Sequence, residues 1–84
     1  MTPAEAAVAA EIRRIVREEL RSRVEFGDEE ELASRLDSLA LLSLVVAVED
    51  RFRVILTEED AAQARSLADL ARIVASRTAV EATP

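Results

Sequence analysis

The sequence predicts an all-α fold, a small bundle of three main helices and one short helix. Four segments follow helix-start signals, and no segment alternates apolar and polar residues in the way of a half-buried strand. The chain has 84 residues, and half of them are hydrophobic, which is enough for the core of one small domain. We therefore expect a single domain over residues 1–84.

The first helix is predicted to run from about Pro3 to Arg23. Thr2 and Glu5 form a capping box, with Pro3 at the first helical position. Behind this signal, apolar residues recur at helical spacing: Val8, Ile12, Ile15, Val16 and Leu20.

The segments after this helix are predicted as a loop at residues 24–36, helices at about 38–53, 58–64 and 67–77, and a tail at 78–84. Within the loop, Phe26 and Leu32 are expected to reach the core because they are its large apolar residues. Asp37, Thr57 and Ser66 supply start signals for the three later helices.

The composition argues against catalysis by this chain alone. It contains no cysteine and no histidine, and all eleven basic residues are arginine. The chain therefore offers no thiolate, no imidazole base and no lysine amine, and arginine stays protonated in proteins. We expect no catalytic residues and no metal ligands.

The net charge of −6 argues against a nucleic-acid partner, which would require a basic stripe. An acidic protein is suited to meet basic surfaces of other proteins. The sequence shows no secretory leader and no apolar run of membrane-spanning length. We expect a cytoplasmic monomer that does not bind membranes.

The tripeptide Asp37-Ser38-Leu39 lies where the second helix begins. Alone, it indicates only that Asp37 or Ser38 caps that helix. The residues after it extend the pattern: Leu44, Val45, Val48, Glu49, Phe52, Leu56, Thr57, Ser66 and Leu67. In this order and spacing, residues 32–75 resemble the phosphopantetheine-binding acyl carrier proteins. Two departures are the stretch Ser34-Arg35-Leu36, where many members have a glycine, and Thr57, where a proline is common.

The resemblance implies a four-helix carrier bundle with Ser38 as the attachment site of 4′-phosphopantetheine. A separate phosphopantetheinyl transferase would attach this arm from coenzyme A with Mg²⁺, and Asp37 would be recognised by that enzyme. Physical chemistry favours the position, since the first turn of a helix has unpaired N–H groups and a positive dipole end for the phosphodiester. The terminal thiol of the arm would then hold the cargo as a thioester.

The second helix is predicted to have two apolar faces. The core face is formed by Leu41, Leu44, Val45, Val48 and Phe52, which lie within one arc of about 100°. Leu39, Leu42 and Val46 lie opposite, and the resemblance makes this the surface offered to enzymes. The expected partner-binding residues are Leu39, Leu42, Ser43, Val46, Glu49 and Asp50. Ten acidic residues between Asp28 and Asp60 are expected to make the half of the molecule around Ser38 negative.

The type of carrier is predicted from the residues around Ser38. Ser43 stands where carriers of fatty-acid synthesis usually have an acidic residue, and Leu36 directly precedes Asp37. This is similar to freestanding carriers of specialised metabolism that bear polyketide or aminoacyl units. Partners would be acyl- or aminoacyl-loading enzymes and acyltransferase- or ketosynthase-type enzymes. Two alternatives stay open: an unmodified helical protein-interaction module, and a carrier domain cut from a modular synthase.

Overall fold

Four α-helices make up most of the described chain. The computed structural model describes residues 1–82, with side chains through residue 78. The helices are α1 (Pro3–Glu18), α2 (Ser38–Phe52), α3 (Glu58–Gln63) and α4 (Leu67–Ala82), and a turn of 3₁₀ helix at Leu32–Ser34 precedes α2. The predicted bundle of three main helices and one short helix is confirmed. None of the helices within residues 1–82 combines the length and apolar character of a transmembrane span.

The core lies where α1, α2 and α4 meet. α1 packs most extensively against α4 and also contacts α2. The largest fully buried side chains come from these three helices: Ile12, Ile15, Leu44, Val48, Leu67 and Val74. Phe26 and Leu32 from the long loop join the same core cluster, as predicted. Apart from Phe26, the buried core cluster is therefore aliphatic, as the scarcity of aromatic residues requires.

α1 ends at Glu18, so the prediction that it continues to Arg23 was wrong. The chain closes the helix by folding back on its last turn. The Leu20 N–H donates to the Ile15 carbonyl at 3.1 Å, and the Ser22 N–H donates to the Val16 carbonyl at 3.0 Å. Arg21 adopts a left-handed conformation with φ of 53°, which a helix cannot continue through. The loop before α2 is therefore longer than the predicted residues 24–36.

α4 runs to Ala82, so the prediction of a tail from residue 78 was wrong for residues 78–82. Thr83 and Pro84, the rest of that predicted tail, lie outside the described residues. The helix continues because nothing before Pro84 breaks it, and proline disfavours helix only from the residue before it. The Thr78 Oγ1 also bonds back to the Ala75 carbonyl at 3.1 Å. α2 and α3 end within one residue of their predicted ends.

The long loop is fastened to α1 and to the start of α4. Arg13 of α1 donates to the Phe26 carbonyl at 2.8 Å and to Asp28 Oδ1 at 2.6 Å, and its guanidinium lies 5.2 Å from the Phe26 ring centroid. The Ala68 N–H donates to the Asp28 carbonyl at 2.9 Å. These bonds fix the loop's course toward Leu36, which is buried two residues before α2 begins.

Candidate functional site

α2 begins at Ser38, and Asp37 is its cap. Asp37 has an extended backbone, and its Oδ1 accepts a hydrogen bond from the Ala40 N–H at 2.8 Å. The sequence allowed either Asp37 or Ser38 to be the cap, and the structure assigns that role to Asp37. Ser38 is consequently the first helical residue, and its hydroxyl is not needed to start the helix.

The Ser38 side chain is exposed, and within residues 1–82 its Oγ has no hydrogen-bond partner. The backbone N–H groups of Ser38 and Leu39 are also unpaired in this part of the chain, as expected for a first helical turn. These donors and the positive end of the helix dipole favour a negatively charged group beside Ser38. The position therefore suits a hydroxyl that becomes part of a phosphodiester.

The neighbouring serines differ from Ser38 in their surroundings. Ser34 Oγ donates to the Glu31 carbonyl at 2.7 Å within the 3₁₀ turn, so its hydroxyl is already used. Ser43 is half-buried, one turn further along α2. Leu36 fixes the backbone that leads into α2, because its side chain is buried and its N–H donates to the Leu32 carbonyl at 2.8 Å. Ser38 is thus held in place by the buried Leu36 two residues before it, while its own hydroxyl remains accessible.

The two faces of α2 have the predicted rotation. Leu39, Leu42 and Val46 are 73%, 62% and 56% exposed. Leu44 and Val48 on the other face are 1% and 0% exposed. The remaining predicted core residues of this helix are only half-buried: Leu41, Val45 and Phe52. We refer to Leu39, Leu42 and Val46 as the apolar face of α2, which begins one residue after Ser38.

Glu49 has a structural bond that the sequence did not reveal. Its Oε2 accepts a hydrogen bond from the Leu56 N–H at 2.9 Å, which ties the α2–α3 connection to α2. Glu49 is half-buried, whereas Asp50 beside it is exposed. Of the two acids predicted to meet partners, Asp50 is therefore the more accessible.

Arginines pair with several of the acids that were expected to make the surroundings of Ser38 negative. Glu30 accepts from Arg35 Nε at 2.6 Å, and the pKa of Glu30 is lowered mainly by this bond and also by the Gly27 N–H. Asp28 pairs with Arg13. The negative charge around the site is thus smaller than the count of acidic residues suggests.

An apolar cavity of about 620 Å³ lies beside α2. Its lining residues come from α2, the 3₁₀ turn, the region of α3 and α4: Glu31, Leu32, Ala33, Leu41, Leu42, Leu44, Val45, Leu56, Ala61, Ala64, Arg65 and Leu70. Leu42 belongs both to this lining and to the apolar face of α2. This cavity could not be predicted from the sequence, because its walls are brought together only by tertiary packing.

The fold and the site define a class of protein. A small helical bundle that presents an exposed serine at the start of a helix, next to an apolar helix face, has the form of a carrier domain. The family model of the phosphopantetheine attachment site matches residues 10–74, so the chain belongs to this family. Searches of curated proteins and of solved structures gave no significant match.

Domains of this family carry 4′-phosphopantetheine as a covalent group. The start of α2 fits such a group, because it provides an accessible hydroxyl without another partner and unpaired backbone donors for a phosphate. Family membership thus gives the class of function, that of a carrier, and the chemical nature of its prosthetic group.

Proposed function

We propose that this protein is a freestanding carrier that holds an acyl or aminoacyl intermediate on a phosphopantetheine arm at Ser38. In this proposal it is a cytoplasmic monomer that passes the intermediate between enzymes of a specialised, polyketide-like pathway. One observation supports the site above all. Ser38 is an exposed serine at the start of α2 whose hydroxyl is spared from capping because Asp37 performs that task.

The chain's own residues have distinct roles in this proposal. Ser38 Oγ becomes the protein's oxygen in the phosphodiester, and the N–H groups of Ser38 and Leu39 lie where they favour its charge. Asp37 uses Oδ1 for the Ala40 N–H, and Oδ2 has no partner among the described residues, so it can be recognised by the transferase. When attached, the arm supplies a thiol that holds cargo as a thioester. The chain has no cysteine or lysine that could capture this cargo.

Partner enzymes would dock on the exposed side of α2. The apolar face supplies the buried area of the contact, since three large side chains there are more than half exposed. Ser43, Glu49 and Asp50 flank it on the same helix. Because Asp28 and Glu30, two of the acids counted around Ser38, already pair with arginines of the chain, we expect apolar contact to contribute more to partner binding than charge does.

Intact-mass measurement tests the attachment. The protein is incubated with coenzyme A, Mg²⁺ and a broad-specificity phosphopantetheinyl transferase. We expect the wild type and the matched control Ser43→Ala to gain the mass of one arm, and Ser38→Ala to gain none. Ser38→Ala should fold normally because Ser38 is not the cap. An unmodified wild type would favour the alternative of a helical interaction module, and a modified Ser38→Ala would exclude Ser38 as the sole site.

The rate of attachment also tests the docking face, because the transferase is itself a partner. Leu42→Gln should lower kcat/KM for the protein substrate by about tenfold, the effect of a central contact residue. The control is Val24→Gln, an exposed apolar residue in the loop after α1. Wild-type kcat/KM should change less than about threefold from low to physiological ionic strength. Equal effects of the two substitutions, or a steep dependence on salt, would contradict docking by the apolar face.

The pathway type is the part of the proposal that depends on Ser43 and the apolar upper half of α2. A ketosynthase of primary fatty-acid synthesis that grips acidic carrier residues would find Ser43 in that place. We expect such a ketosynthase to use the loaded protein poorly, and efficient use would contradict the assignment to specialised metabolism.

Freestanding status is tested by immunoblotting an extract of native cells, where a much longer polypeptide would indicate a modular synthase.

A further inference from the structure

A groove of about 400 Å³ lies between the last turns of α1 and the loop that follows this helix. Its walls include Arg13, Val16 and Arg17 from α1, and Arg23, Val24 and Phe26 from the loop. No residue of α2 lines the groove, so it is a surface separate from Ser38 and from the apolar face of α2. We refer to it as the arginine groove.

Hydrogen bonds hold both walls of the arginine groove in place. Arg13 Nη1 donates to the Phe26 carbonyl at 2.8 Å and so connects α1 with the loop. The Ser22 N–H donates to the Val16 carbonyl at 3.0 Å, and Ser22 Oγ accepts from the Val24 N–H at 3.2 Å. The side chains of Val16 and Phe26 are buried in the core. The groove is therefore formed in the absence of a partner, and binding does not require the loop to be ordered first.

Two exposed arginines of the groove have no ionic partner in the part of the chain that the structure describes. Six of the eleven arginines form ion pairs there. Arg17 and Arg23 form none, although Glu25 also lines the groove and the chain contains 17 acidic residues. The guanidinium groups of Arg17 and Arg23 can therefore pair with carboxylates of another molecule.

The surroundings of these arginines indicate the kind of occupant. An arginine stays charged and can donate two parallel hydrogen bonds to one carboxylate. Val24 is 38% exposed and lines the same groove, so the occupant should combine acidic groups with an apolar side chain. A short acidic segment of a protein has this composition. A nucleic acid or an anionic membrane would extend beyond the groove and would be repelled by the chain's net charge of −6.

We propose that the arginine groove is a docking site for an acidic segment of a partner protein, with carboxylates on Arg17 and Arg23 and an apolar side chain against Val24. The site gives the protein a second contact surface, because it shares no residue with the apolar face of α2. The partner is not the transferase, which meets the apolar face in the proposed function. The inference does not depend on attachment at Ser38.

Fluorescence anisotropy with a labelled peptide tests this proposal on the full chain. The probe is a short synthetic peptide in which aspartate and glutamate residues surround two leucines, measured at low ionic strength. Arg17→Gln combined with Arg23→Gln should weaken its binding about fivefold to tenfold, since two charge-assisted contacts are lost. The matched control combines Arg53→Gln with Arg65→Gln, which removes the same charge from two other exposed arginines and should change binding by about twofold at most.

NMR chemical-shift mapping with the unlabelled peptide locates the contact. Amide shifts should be concentrated in residues 13–26 and be small in α2. A peptide whose acids are replaced by their amides should bind at least about tenfold more weakly. Absence of binding, equal weakening in the two double variants, or shifts centred on α2 would overturn the proposal. Tighter binding to phosphatidylglycerol vesicles that also depends on Arg17 and Arg23 would overturn it too, since the groove would then recognise a membrane.

Discussion

Replacing Leu44 or Leu42 by alanine tests the rotation of α2, on which the docking face depends. Leu44 is 1% exposed and belongs to the core cluster, so Leu44→Ala removes buried area and leaves a cavity. Such substitutions cost about 2–5 kcal/mol. If Leu44→Ala lowers the free energy of unfolding by about 3 kcal/mol, the melting temperature of a domain this small should fall by roughly 12–24 °C. Leu42 is 62% exposed, so Leu42→Ala should cost less than about 1 kcal/mol.

Thermal and urea unfolding followed by circular dichroism measures both variants under the same conditions. For 84 residues we expect a total stability of roughly 4–13 kcal/mol, so Leu44→Ala should remain folded at low temperature but lose much of its margin. The rotation of α2 would be refuted if Leu42→Ala were as destabilising as Leu44→Ala. Val48→Ala, at a fully buried position on the same face as Leu44, should repeat the larger loss.

Three further predictions concern caps and ion pairs. Arg53, the C-cap of α2, has a left-handed backbone with φ of 56°, which glycine adopts more readily than arginine. Arg53→Gly should therefore raise the free energy of unfolding in urea by about 0.5–1 kcal/mol, and a loss would contradict this reasoning. Asp37→Ala should cost about 1 kcal/mol in the same assay, and no loss would show that Asp37 is not the cap. Hydrogen bonds from Arg14, and to a lesser extent from Arg51, lower the pKa of Glu11 from its ordinary 4.5 to about 2. Because this pKa is lowered in the folded protein, the ionised Glu11 contributes stability above pH 4.5, and that contribution is lost as the pH falls toward 2. Glu11→Gln should therefore be less stable than the wild type at neutral pH and equal to it near pH 2 in urea unfolding, and a constant difference would contradict the pairing.

The start of α2 was predictable because its signals are local. A cap, the first helical residue and the period of apolar residues along one helix all appear in consecutive sequence, so Ser38 and the apolar face could be placed without coordinates. The end of α1 was not predictable in this way. The left-handed residue that closes it is Arg21 and not a glycine, and the apolar spacing continues to Leu20.

Features that depend on tertiary packing gave no sequence signal. Arg77 and Asp60 are 17 residues apart, and their pairing exists only because α3 folds against α4. The bond between Glu49 and the Leu56 N–H likewise depends on the course of the α2–α3 connection. The apolar cavity follows from these same contacts, since its walls belong to separate elements. Local patterns determine which elements form, but not how a short element such as α3 is held.

The central claim is that the arm is attached to Ser38, and tandem mass spectrometry of a tryptic digest tests it most directly. The protein is first treated with transferase, coenzyme A and Mg²⁺. Trypsin cleaves after Arg35 and Arg51, so the peptide of residues 36–51 contains Ser38 and Ser43, while Ser34 falls in the preceding peptide. We predict that the arm is found on residues 36–51 and that fragment ions assign it to Ser38. An arm assigned to Ser43, or found on the peptide that contains Ser34, would contradict the claim.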